Sequence, residues 1–186
     1  MDALLLEPTA LAGVLRVSRR RREDERGFLA RLYCRDTFAA HGAAFQVAQV
    51  NHTLTRRPGT VRGLHFQHPP HAESKLVTCV RGRVFDVAVD LRRGSPTFLR
   101  WHGAELSAEA GTALLVPPGC AHGFQCLEPD SELVYLHSAP WVAAAEGAAH
   151  PLDPRLAIAW PLPPAGLSAR DAGHPLLDDT FEGIPT

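Results

Sequence analysis

Apolar and polar positions alternate in short segments through the middle of the chain: AFQVAQVNHTL (44–54), KLVTCV (75–80), RVFDVAVDL (83–91), TFLRWH (97–102), TALLVP (112–117), HGFQCL (122–127) and ELVYLHS (132–138). A period of two is the pattern of β-strands. Turn-forming clusters separate them: RRPG, VRGR, RRGSP, AEAG, PPG and EPDS. Strands spaced this closely, with no helical pattern between them, predict an all-β antiparallel sandwich or barrel. A weak helical pattern follows Trp141 (WVAAAEGAAH), so short helical segments are expected toward the C-terminus. The Pro-rich tail 153–186 is expected to wrap the body, and residues 1–186 read as one domain.

The same alternation assigns faces. Phe85, Val87, Val89 and Leu91 share one side of their strand, and Val84, Asp86, Ala88 and Asp90 the other. Gln49 pairs with Asn51 on one face, as do Gly63, His65 and Gln67; Lys75, Val77 and Cys79; and Leu133, Tyr135 and His137. Several strands thus carry one or two polar groups among apolar ones. Two placements are open: a barrel that keeps a ligand cavity, or a polar outer face.

Composition narrows the class. The formal net charge is −1, which favours neither nucleic acid nor an anionic membrane as partner. The basic run Arg19–Arg22 is followed at once by Glu23, Asp24 and Glu25 and reads as a solvated loop with local pairing. The apolar N-terminal stretch has no basic residues before it and is too short to span a bilayer. Cys34, Cys79, Cys120 and Cys126 show no CxxC spacing and read as reduced thiols. A cytoplasmic protein is the expectation.

The chemistry concentrates in VRGLHFQHPPHAESK (61–75), where His65, His68, His71 and Glu73 crowd together. Neutral imidazoles and carboxylates can hold zinc, iron or nickel, and barrels of the cupin type do so through a His pair and a Glu set before a turn glycine. Counting back from Gly82, the position for that Glu holds Lys75. An ammonium has no lone pair to offer and repels a cation. His68 and His71 flank the Pro69-Pro70 segment and read as loop residues, and Glu73, two residues before Lys75, shares its face only if the strand already runs there, which the Pro-Pro segment speaks against. What remains, His65, Lys75 and His122 with Tyr135 on another wall, suits proton transfer without a metal or other cofactor: a base, an oxyanion partner and an acid.

DERGF (24–28), QVN (49–51), VRGLHFQ (61–67), KLVTCVRGRVFDVAVDLRRGSPTF (75–98), LLVPPGCAHGF (114–124), LVYLHS (133–138) and LSARD (167–171) resemble, in order, the motifs of the dTDP-4-dehydrorhamnose 3,5-epimerases. The resemblance implies a cupin-type jelly roll without catalytic metal. It implies a homodimer sharing the N-terminal strands within 1–45, and a nucleotide-linked 4-keto-6-deoxyhexose as substrate. By motif it implies His65 as base, Asp171 as its dyad partner, Lys75 as stabiliser of the C4 enolate and Tyr135 as acid. It implies diphosphate contacts from Arg26 and Arg62, and further substrate contacts from Gln49, Asn51, His122, Glu146 and Arg170. Phe28 and Trp141 stand at aromatic positions near the substrate. Asp86 is expected to pair with Lys75.

Two positions depart from the family's pattern. Arg31 stands where a Glu approaches the thymine, which exchanges an acceptor for a donor. Trp141 stands where a second tyrosine is common, and an indole cannot act as a phenolic acid. Inversion at C3, at C5 or at both therefore stays open. A metal-dependent cupin and a non-catalytic sugar-binding cupin are the remaining alternatives.

Overall fold

A computed structural model of the chain describes residues 3–185. Two antiparallel sheets face each other. The first has six strands in the order β1 (Leu4–Pro8), β2 (Leu15–Arg19), β10 (Thr112–Val116), β7 (Lys75–Arg81), β12 (Ser131–His137) and β5 (Gln49–Thr55). The second has five: β13 (Glu146–Ala148), β6 (Val61–Gln67), β11 (Cys120–Cys126), β8 (Arg83–Asp90) and β9 (Trp101–Ser107). β3 (Arg21–Asp24) and β4 (Gly27–Ala30) form a separate hairpin. The helices are α1 (Arg35–Ala40) and α2 (Ala169–Ala172). This is the expected jelly-roll sandwich, in which most strand neighbours, β1–β2 and β8–β9 apart, are distant in sequence.

The core between the sheets is built from alternate residues of facing strands: Val77 and Cys79 of β7, Val84 and Ala88 of β8, Leu114 and Val116 of β10, Phe124 of β11, and Leu133 and Tyr135 of β12. The opposite faces are covered too. Residues of the tail, including Leu156, Ile158, Trp160 and Ile184, pack on Val87, Val89 and Leu91. Phe38 of α1, with Tyr33 and Phe45, packs over Leu76, Leu115 and Leu136. Strands buried on both sides lose the polar half of their alternation, and β10 and β11 are buried along their whole length.

Several local expectations change. WVAAAEGAAH forms only a 3₁₀ turn at Ala143–Ala145 before β13, whose pairing with β6 takes up the chain. TFLRWH enters its strand only at Trp101. The basic run is not a loop: it ends β2 and begins β3, and the Arg19 guanidinium donates to the carbonyls of Gly111 and Cys79. All four cysteines are free thiols, and three of them are buried. Among the described residues no helix is long and apolar enough to cross a membrane.

Candidate active site

One end of the sandwich stays open as a cavity of about 820 Å³, within the size range of small-molecule sites. Its walls are the inner faces of β5, β6, β7, β11 and β12, with Trp141, Glu146 and the segment 166–171 at the rim. Of the two placements left open for the polar residues, the cavity is the correct one. Gln49, Asn51, Arg62, His65, Lys75, His122, Tyr135, Trp141, Glu146, Arg170 and Asp171 all line it.

A close approach of backbones sets up the floor. β6 and β11 pair with His65 opposite His122, followed by an irregularity before Phe124. Gly63 lies in this contact at φ 132°, where a Cβ would stand 2.6 Å from Cα of Gly123. Only glycine fits there without displacing backbone.

Asp171 comes from α2, whose N-cap is Ser168: the Ser168 hydroxyl accepts from the Asp171 amide at 3.0 Å. The carboxylate is thereby turned inward, 3% exposed, and its Oδ1 accepts from His65 Nε2 at 2.8 Å. Arg170 Nη2 stands 3.2 Å from the same nitrogen while its Nη1 pairs with Glu146 at 3.1 Å. A carboxylate facing a lone pair would be repelled, so the Nε2 proton points to Asp171 and the lone pair is on Nδ1. Burial pushes the His65 pKa below its ordinary value; Asp171 opposes, and Arg170 and Lys75 add to the lowering. The imidazole is therefore neutral at pH 7 and able to accept a proton.

Lys75 is 8% exposed and donates to the His65 carbonyl at 3.1 Å and to Glu73 at 3.2 Å. Two of its three N–H groups are used, and the third is available to a ligand oxygen. Burial pushes the ammonium pKa down; Glu73 opposes. Glu73 also accepts from Gln67 at 3.2 Å and meets His137 Nδ1 at 3.1 Å. Burial would raise its pKa, but the hydrogen bond to His137 and the Lys75 charge outweigh it and hold the carboxyl below the usual range.

Asp86 does not pair with Lys75. It lies in the other sheet, fully buried, with Oδ1 at 2.8 Å from His122 Nε2, while Oδ2 has no partner. Burial raises its pKa against the pull of His122. The His122 ring stands edge-on to Tyr135 at 5.8 Å, and His137 stacks on the other side of Tyr135 at 6.0 Å. Burial, reinforced by Asp86, drives the Tyr135 pKa up, so the phenol keeps its proton.

Glu73 and His137 went unassigned in the sequence. Their positions two residues from Lys75 and from Tyr135 were the available signal; Glu73 lies before the strand, where alternation carries no weight. Arg26 and Phe28, by contrast, are outside the cavity. They sit on the exposed β3–β4 hairpin, Arg26 paired with Asp24 at 2.6 Å and Phe28 stacked under Arg21.

A base with its orienting carboxylate, a buried ammonium and a protonated phenol around one cavity can move protons at carbon next to a carbonyl. Comparison with known proteins gives the lineage. A profile of the dTDP-4-dehydrorhamnose 3,5-epimerase family matches residues 8–179. The chain belongs to this family. It is 43% identical to the dTDP-4-dehydrorhamnose 3-epimerase of Streptomyces niveus, over 97% of this chain and 88% of that protein. It is 40% identical to the dTDP-4-dehydrorhamnose 3,5-epimerase of Sinorhizobium fredii, over 95% and 91%. Among solved structures, the 3,5-epimerase of Legionella pneumophila in complex with dTDP-4-keto-L-rhamnose superposes with a TM-score of 0.90, 34% identity, and coverage of 98% and 97%.

Proposed function

We propose that this member of the epimerase family inverts C3, C5 or both of a nucleotide-linked 4-keto-6-deoxyhexose, with a dTDP sugar as the first substrate to test. The observation that carries the reading is the neutral His65 held by Asp171 at 2.8 Å in a cavity shared with Lys75 and Tyr135. His65 removes the proton α to the C4 ketone. Asp171 fixes the tautomer and stabilises the imidazolium that forms. The free N–H of Lys75 meets the enolate oxygen. Tyr135 returns a proton to the opposite ring face, solvent restores the phenol, and the carbon is inverted.

Arg62 and Arg170 stand at the rim where a diphosphate would lie, and the planar guanidinium suits phosphate oxygens. Gln49, Asn51, His122, Glu146 and Trp141 complete the sugar contacts. Arg26 and Phe28 reach a site only in a second copy of the chain: the β3–β4 hairpin is exposed and, among the described residues, pairs with no other strand. A homodimer exchanging this N-terminal segment would deliver them to the partner's cavity. No cofactor takes part.

Inversion at a single centre is the second reading. It is supported by Trp141, which is 56% exposed at the cavity mouth and has no acidic proton to give.

The test is proton exchange. With dTDP-4-keto-6-deoxyglucose in deuterated water, NMR should show loss of the C3 or C5 proton signals, and the pattern names the inverted centre. Folded protein that binds the nucleotide sugar but exchanges neither proton would leave only a binding function.

A further inference from the structure

We propose that His65, Asp171 and His174 form a binding site for a divalent ion of the zinc class, and that its occupancy switches off the base. The inhibitory half rests on the epimerase reading; the binding half does not.

Three donor atoms converge. His65 Nε2, Asp171 Oδ1 and His174 Nε2 lie within 4.8 Å of one another. His65 and His174 approach the same carboxylate oxygen, at 2.8 and 3.9 Å. The His174 ring meets His65 edge-on, with centroids 6.1 Å apart. Its Nε2 is buried and has no hydrogen-bond partner, although it points at a carboxylate. The proton-transfer chemistry makes no use of it. Beside a carboxylate and a second imidazole, this imidazole nitrogen is placed to serve as a ligand atom.

The donor set fits the ion. Two imidazoles and one carboxylate suit zinc and leave a fourth position for water. Zinc bonds of about 2.0–2.1 Å place tetrahedral donors roughly 3.3–3.4 Å apart, which the observed 2.8 and 3.9 Å bracket. Two cations oppose the ion. Arg170 lies 3.2 Å from His65 Nε2 and 3.7 Å from Asp171, and Lys75 contacts the His65 backbone. The Arg170 side chain is 56% exposed, and binding of the ion requires it to turn outward from its pair with Glu146. Lys75 is tied to Glu73.

Coordination at Nε2 would move the ring proton of His65 to Nδ1. No net proton is released from a neutral imidazole, but the nitrogen that should take the substrate proton then already carries one. Removal of the ion reverses the block.

The test uses the full-length protein, stripped with a chelator and titrated with Co²⁺, then with Zn²⁺ against a chromophoric chelator. One equivalent of cobalt should show the visible absorption of a four-coordinate ion. His174→Gln should bind zinc weaker by roughly tenfold or more, keep its basal exchange rate and resist zinc inhibition. No cobalt spectrum in the intact protein, or equal zinc affinity in His174→Gln, would overturn the site. Zinc bound through His174 with exchange unchanged would overturn the inhibition. If no exchange is seen with or without chelator, the epimerase reading fails, and the cobalt titration still decides the site.

Discussion

Replacing Glu73 by Gln removes one charge from a buried cluster and changes almost no volume. Lys75 would keep its hydrogen bond to the His65 carbonyl but lose its only counter-charge within ion-pair distance among the described residues. At 3.2 Å and an effective dielectric of about 20, that attraction is about 5 kcal/mol. Breaking a buried pair by removing one partner costs about 3–5 kcal/mol of stability. The Lys75 pKa is already below its ordinary value through burial. Glu73 is the main group that opposes this lowering, so losing it lowers the Lys75 pKa further. A lysine whose folded pKa lies below its unfolded one binds fewer protons when folded, so the variant regains stability as pH rises through that window. Denaturant unfolding across neutral to alkaline pH should therefore show a deficit of about 3 kcal/mol near neutrality that shrinks toward high pH. The exchange rate should fall with rising pH earlier than in the unaltered protein, because the enolate partner loses its proton sooner. A deficit under about 1 kcal/mol that does not vary with pH would mean that Glu73 is not what keeps Lys75 charged, and the reasoning would fail.

Asp171→Asn should cost roughly 10²-fold or more in exchange, with little change in nucleotide-sugar affinity measured by calorimetry; unchanged turnover would remove Asp171 from the dyad. In the unaltered protein the acid limb of kcat/KM should lie below about pH 6.5, because burial lowers the His65 pKa and the base works only above it. Tyr135→Phe should still exchange substrate protons for deuterium while net inversion, followed by NMR, drops sharply; loss of exchange and inversion together would place Tyr135 elsewhere in the reaction. Arg26→Ala and His65→Asn should each be nearly inactive alone, yet mixed protomers that reassemble should recover activity, since one cavity then has both groups; no recovery would argue against a hairpin shared between copies.

The antiparallel all-β class and the faces of the central strands were legible in the sequence from a period of two, which the local backbone dictates. Lys75 was read by counting back from Gly82, and the jelly roll and the roles of His65, Lys75 and Tyr135 came from the motifs that resemble the epimerase family. Helical propensity after Trp141 did not decide its structure, because β13 gains a strand partner in β6. Alternation also could not say which face is wet, since the covering groups, Phe38 on one sheet and Trp160 on the other, come from remote segments. Nor could it say which charges meet. Lys75 and Asp86 are eleven positions apart in sequence, but β7 and β8 belong to different sheets. The pairing across β8 and β11 gives Asp86 to His122. The segment leading into β7 brings Glu73 to Lys75 and His137. A buried charge must find its partner among spatial neighbours, and only the order of strands in the sheets determines who those neighbours are.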